Sequence, residues 1–308
     1  MTVIMKFLIT TCLLLFAYTV SAMEVAITVD DLPANGNLSA GTTRMDIAKK
    51  ILSVLNKHHI KNVYGFVNGA KVNEVPNGYV ILSDWRNEGQ LLGNHTFHHL
   101  DLAKISAEEY KSDIKKNEPI LSQFMRGDDY RYFRYPYLTE GNTQHKRDNV
   151  RNYLFSNGYK IAPVTVDFFE YEWNDAYVRC LNRHDEKSIK WIKNAYLEQA
   201  NNALTIAKSL SSMLFGRDIK HVLLIHMNEF SADMLDEMLT EYEKKHVKFI
   251  ALSAALKDKA YTINPNIIHD RDYTFLNQVR LSRGLKNPDN VKMLYDSLPE
   301  DKLNQLCN

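Results

Sequence analysis

Short apolar runs rich in β-branched residues alternate along this chain with longer stretches whose apolar positions recur every three or four residues. The runs at 25–30, 63–67, 91–94, 131–135, 160–166, 221–226 and 247–252 read as strands. Between them, 43–57, 106–124, 149–156, 188–214 and 232–245 carry the helical period, and Ser106 with Glu109 stands in capping-box register. Strand and helix repeated in this way predict an α/β fold, with a parallel sheet covered by helices. About seven repeats favour a (β/α) barrel, distorted and seven-stranded, over an open sheet. After residue 256 the alternation stops. Residues 261–308 are polar and punctuated by Pro265, Pro288 and Pro299, which predicts a C-terminal extension with one or two short helices.

The first 22 residues form a separate unit. Lys6 precedes an apolar run over 7–20 that ends at the small residues Ser21 and Ala22, the pattern of a cleaved signal peptide. The run is shorter than the roughly 20 residues a bilayer span needs, so no membrane span is expected after cleavage. Export to the periplasm or the cell exterior follows. Cleavage removes one charge, Lys6, from 38 basic and 37 acidic residues, leaving the two signs balanced. That balance argues against nucleic acid or anionic lipid as a partner. Cys180 and Cys307 remain; export permits a disulfide between them without establishing it.

In such folds the chemistry collects at the C-terminal ends of the strands. The first strand ends in the adjacent acids Asp30 and Asp31. Taken alone, the pair reads as a turn ahead of Leu32 and Pro33; buried together, two carboxylates need a cation or a proton between them. The third strand runs into Asn94, His95, Thr96, Phe97, His98 and His99. His95 and His99 stand four apart, so one helical turn would put both imidazoles on one side, as a metal requires, while His98 competes at three-residue spacing. Two histidines and one carboxylate would leave coordination positions open for water and substrate.

TVDD at 28–31, NHTFHH at 94–99, FRYPY at 133–137 and LLIHMN at 223–228 occur in the order of the motifs of the polysaccharide deacetylase family, the one built on the NodB-homology domain. The resemblance covers residues 24–259, and the expected organisation is a deacetylase domain over 23–260 between the leader and the extension. By that resemblance Asp31, His95 and His99 bind a divalent metal, zinc by default, and Asp30 is the general base. Arg134 orients Asp30, the backbone N–H of Tyr137 stabilises the oxyanion, and His226 is the acid. The remaining family motif matches DFFEY at 167–171, with Glu170 as the carboxylate that tunes His226, and EWND, carrying Asp175, competes for it. Tyr135 and Leu138 stand where the family commonly has proline and glycine, so the loop that shapes the substrate groove differs. The implied function is hydrolysis of N-acetyl groups on N-acetylglucosamine units of an acetylated carbohydrate: peptidoglycan, chitin or an exported polysaccharide. The alternatives are another amide, imide or O-acetyl ester on the same apparatus, or a non-catalytic carbohydrate-binding relative.

Overall fold

A computed structural model describes residues 22–269, 273–297 and 299–308; the expected leader lies outside them apart from Ala22. Among the described residues seven strands make one sheet, parallel at every pairing: β1 Glu24–Leu32, β2 Tyr64–Val67, β3 Leu91–Asn94, β4 Tyr132–Phe133, β5 Lys160–Ile161, β6 His221–His226 and β7 Lys248–Phe249. The order is β5-β4-β3-β2-β1-β6, with β7 beside the first two residues of β1. The sheet curls until the chain beyond β5 meets β6, where Val166 bridges to Leu223. Val166 donates to the Val222 carbonyl at 3.0 Å and accepts from the Leu224 amide at 3.1 Å. The result is the distorted barrel of the sequence expectation, closed by one bridge.

The fifth strand is shorter than its apolar run over 160–166 suggests. Pro163 has no N–H to give a ladder, so pairing with β4 ends at Ile161 and resumes, toward β6, only at Val166. The C-terminal segment lies against this gap: the Phe275 amide donates to the Val164 carbonyl at 2.7 Å. A cavity of about 350 Å³ remains there, walled by Tyr159, Pro163, Tyr261, Tyr273 and Phe275 among others.

Helices follow the strands: α1 Arg44–Lys57, α2 Gly69–Glu74, α3 Gly78–Asn87, α4 Ala107–Phe124, α5 Gln144–Ser156, α6 Glu172–Asn182, α7 Glu186–Phe215, α8 Glu229–Lys244 and α9 Leu252–Ala255. In α1, Thr43 and Asp46 form a capping box, and Ile47, Ala48, Ile51, Leu52 and Leu55 make the buried stripe. Ser106 and Glu109 cap α4 in the register read from the sequence. The apolar pattern missed α2, α3 and α6; the first two are short, and α6 begins in the acidic EWND stretch.

The tail forms α10 Phe275–Ser282, α11 Asp289–Tyr295 and α12 Glu300–Gln305. The first two pack on α7 and the third on α6. Cys180 in α6 is bonded to Cys307, 127 residues away, and Arg179 donates to the carbonyls of Leu303 and Leu306. No described helix is long and apolar enough to cross a membrane. A crosslink over so long a loop restricts the unfolded chain strongly. Replacing both cysteines by alanine should lower the unfolding free energy by roughly 2–4 kcal/mol, read as a reduced urea midpoint. An unchanged midpoint would mean that packing alone holds the tail.

Candidate active site and metal centre

Neighbouring residues on a regular strand face opposite sides of the sheet. Asp30 and Asp31 do not, because the β1–β2 register shifts between Val29 and Leu32 and Asp31 takes a positive φ of 64°. Both carboxylates therefore line one cleft of about 180 Å³, with His95, His99, Tyr137, Asp167, Tyr171 and His226. Both are buried, at 2% and 5% exposure.

Separate groups hold the two acids. Asp30 Oδ2 accepts from an Arg134 terminal nitrogen at 3.3 Å. That arginine, itself buried, also donates to Thr28 Oγ1 at 2.9 Å and through Nε to the Ala162 carbonyl at 2.7 Å. Burial pushes the Asp30 carboxyl up to about 6 against the lowering effect of Arg134. Burial would raise Asp31 as well, but electrostatic attraction to His99, Lys71 and His95 holds it well below the usual carboxylate range. Adjacent in sequence, the acids are opposite in proton affinity. Asp31 Oδ2 accepts from Asn35 Nδ2 at 2.6 Å, whereas its Oδ1 has no hydrogen-bond partner among the described residues.

The two histidines arrive by a loop rather than by the helical turn that their spacing suggested. Thr96 and His99 adopt positive φ, and residues 95–99 contain no helix. His95 Nδ1 donates to the Arg134 carbonyl at 2.8 Å, which leaves the Nε2 lone pair facing the cleft. His95 Nε2 and His99 Nε2 lie 3.7 and 3.4 Å from Asp31 Oδ1. Burial lowers the pKa of both imidazoles, favouring their neutral, ligating forms. The orphaned Asp31 oxygen and these two rings place three donor atoms within 4.8 Å of one another, a set that fits a divalent ion with open positions. His98 turns away; its Nδ1 pairs with Asp113 Oδ1 at 2.5 Å on the outer side.

On the neighbouring strand, His226 closes β6 in register with Asp30 and lines the same cleft. Glu170 Oε2 accepts from its amide at 2.8 Å and pairs with its Nδ1 at 3.0 Å, while Oε1 takes Asn228 and Ser231. Burial works against an imidazolium here, but the Glu170 carboxylate keeps the His226 pKa up, at about 9. Asp175 sits in the first turn of α6, accepts from Asn37 Nδ2 and lies away from the histidine. Tyr137 sets its ring edge-on to His99 at 4.7 Å, and Tyr171 does the same to His226 at 5.3 Å.

Three residues near these groups were not picked out as site residues from the sequence. Asp167 lines the cleft, its carboxyl pushed up by burial near His226, Glu170 and Arg134; as the first acid of DFFEY it could have been found. Asn35 and Lys71, both on Asp31, carried no sequence signal.

The sequence model described as polysaccharide deacetylase matches residues 17–162. Those residues carry a polysaccharide deacetylase domain. The chain is 35% identical over 114 residues to a peptidoglycan-N-acetylglucosamine deacetylase of Bacillus cereus, an alignment covering 37% of this chain and 36% of that protein. This chain thus spans about a third of that relative's length. The deacetylase fold is shared with the solved chitin deacetylase of the fungal pathogen Colletotrichum lindemuthianum, at 19% identity, TM-score 0.53 and coverage of 80% of this chain and 92% of that one. It is shared too with a CE4-family pseudoenzyme of Bacillus anthracis, at 16% identity, TM-score 0.51 and coverage of 77% and 66%. Asp30, Asp31, His95, His99, Arg134 and Tyr137 fall within the matched residues of the deacetylase model; Glu170 and His226 lie beyond them.

Elemental analysis separates the three histidines. His95→Ala and His99→Ala should lose bound metal, while His98→Ala should retain it in full. Retention in the His99 variant with loss in the His98 variant would reassign the ligand.

Proposed function

We propose that this chain is an exported, metal-dependent hydrolase that removes acetyl groups from N-acetylglucosamine units of a polysaccharide or oligosaccharide. The observation that carries the proposal is the presence in one small cleft of a carboxylate with raised pKa, Asp30, and an imidazole with raised pKa, His226, beside three converging donor atoms. Asp31, His95 and His99 would hold the ion. One carboxylate and two imidazoles suit zinc, and nickel, cobalt or iron by the same donors. When bound, the ion would supply Lewis acidity toward water and the acetyl carbonyl.

The chain's own groups do the rest. Asp30 takes the proton from the attacking water, and Arg134 fixes its orientation. Addition to the carbonyl carbon builds an oxyanion next to the Tyr137 backbone, the role of its N–H by analogy with the family. The carbon–nitrogen bond then breaks as His226 gives its proton to the departing amine. Glu170 stabilises the imidazolium until that moment.

Leu138 favours a second reading of the substrate. Its side chain reaches both the cleft and the larger cavity, at a positive φ of 52° where the family commonly has glycine. A groove reshaped there suits a different amide, an imide or an O-acetyl ester on the same apparatus. A non-catalytic role finds less support, because base, acid and ligand set are all present.

Acetate release from N-acetylated oligosaccharides, peptidoglycan, small amides and O-acetyl esters, with defined metals restored to stripped protein, decides among these. Asp30→Asn should keep its metal and lose at least about 100-fold in turnover, whereas Asp31→Asn should lose metal. The reverse pattern would exchange their roles.

The rate should follow a bell-shaped pH profile, rising on the acid limb as Asp30 loses its proton and falling on the alkaline limb as His226 loses its own. Glu170 holds the histidine's pKa up, so Glu170→Gln should move the alkaline limb to lower pH with metal content unchanged. Asp175→Asn should leave both limbs in place. A shift in the Asp175 variant alone would return the motif to EWND.

A further inference from the structure

Asp31 Oδ1 faces one more group. Lys71 Nζ lies 3.4 Å from that oxygen, the same distance as His99 Nε2. The lysine is held there by construction. Asn68 Nδ2 donates to the carbonyl of His95 at 2.7 Å and approaches that of Thr96, and the Ala70 amide donates to the Phe97 carbonyl at 2.9 Å. Between them Gly69 opens α2 with no room for a side chain, since a Cβ would meet Asn117 Oδ1 and Phe97 at 2.5 Å. The start of α2 is thus locked to the loop that carries both histidines, and its third residue delivers an ammonium to the carboxylate they share.

This arrangement balances charge. Asp30 and Asp31 face Arg134 and Lys71, two anions against two cations. Arg134 is 1% exposed and anchored by three hydrogen bonds, so it cannot leave. The Lys71 side chain is 31% exposed, makes a single ion pair among the described residues and has a flexible four-carbon stem. A divalent ion held by Asp31, His95 and His99 would repel an ammonium on the same carboxylate in a partly desolvated site.

We propose that Lys71 is a displaceable counter-ion for the metal site, neutralising Asp31 before an ion binds and giving up that place to it. This rests on the reading of Asp31, His95 and His99 as metal ligands. Lys71 is a positioning residue rather than a catalytic one. It keeps the site assembled without metal and makes the protein bind metal less tightly than its three donors alone would allow.

The test uses the full chain, stripped with a chelator and titrated with zinc against a competing chromophoric chelator. Lys71→Met should tighten the zinc Kd by about tenfold or more, and Lys71→Arg, which keeps the charge, should stay within about twofold of wild type. Thermal unfolding supplies a second readout. In chelator the Met variant should melt below wild type, because Asp31 is left uncompensated; in saturating zinc the two should melt together. Should Lys71→Met not fold, Lys71→Gln carries the same expectations. An equal or weaker zinc Kd in the neutral variants, with wild type binding normally, overturns the counter-ion role and leaves the metal site standing. Failure of wild type itself to bind zinc, nickel, cobalt or iron overturns both.

Discussion

Two carboxylates buried side by side at the end of one strand are the constraint on which the site depends. In water Asp30 and Asp31 would repel each other weakly; at 2% and 5% exposure they cannot both stay charged without cations nearby. The fold brings one from each side. Arg134 comes from the end of β4 and secures Asp30, while Lys71 from α2 pairs with Asp31 beside the two imidazoles of the β3 loop. Unequal partners then divide the pair, with Asp30 raised toward neutrality and Asp31 held well below its usual range. A proton acceptor and a lasting anion thus come from consecutive residues because their environments differ, which is the division that the proposed base and ligand need.

The wall that carries His226 depends on how the barrel closes. Glu170 and His226 lie beyond the residues the family model matches, one after β5 and the other at the end of β6. The bridge between Val166 and Leu223 joins those two segments four residues before Glu170 and three before His226. Glu170 is then buried against the amide and ring of His226, with Asn228 and Ser231 filling its other oxygen. A carboxylate satisfied on every side is fixed in place, and the histidine it holds is fixed with it.

Much of this could be read from the sequence, because barrels place chemistry at strand ends and strand ends are marked by where an apolar run stops. Asp30, Asp31 and His95 were picked out in that way, and Arg134 and His226 through the family resemblance. What failed was local geometry set by backbone conformations that sequence does not announce. The His95 and His99 spacing suggested a helical turn, but positive φ at Thr96 and His99 makes a loop that serves the same end. The register shift that turns Asp31 inward is equally silent. Glu170 and Asp175 could not be separated by pattern, since both precede or begin an acidic helix; only the three-dimensional course puts one on His226 and the other on Asn37. Lys71 left no trace at all, because its position follows from a glycine-mediated approach of α2 to a loop almost thirty residues later in the chain.

The polar tail, whose role the sequence left open, is tied to the same constraint through contacts that run without a gap. Its Phe275 amide holds the Val164 carbonyl beside the break that Pro163 makes in β5. Two residues before Val164, the Ala162 carbonyl accepts from Arg134 Nε, and Arg134 holds Asp30. A wider gap at β5 would loosen the carbonyl that aims the guanidinium, and an arginine free to turn would no longer fix the orientation of Asp30. The disulfide to α6 and the packing of α10 and α11 on α7 keep the tail where it closes that gap. The tail therefore lies where a fully paired fifth strand would otherwise have run, two residues from the carbonyl that holds the Asp30-bound arginine.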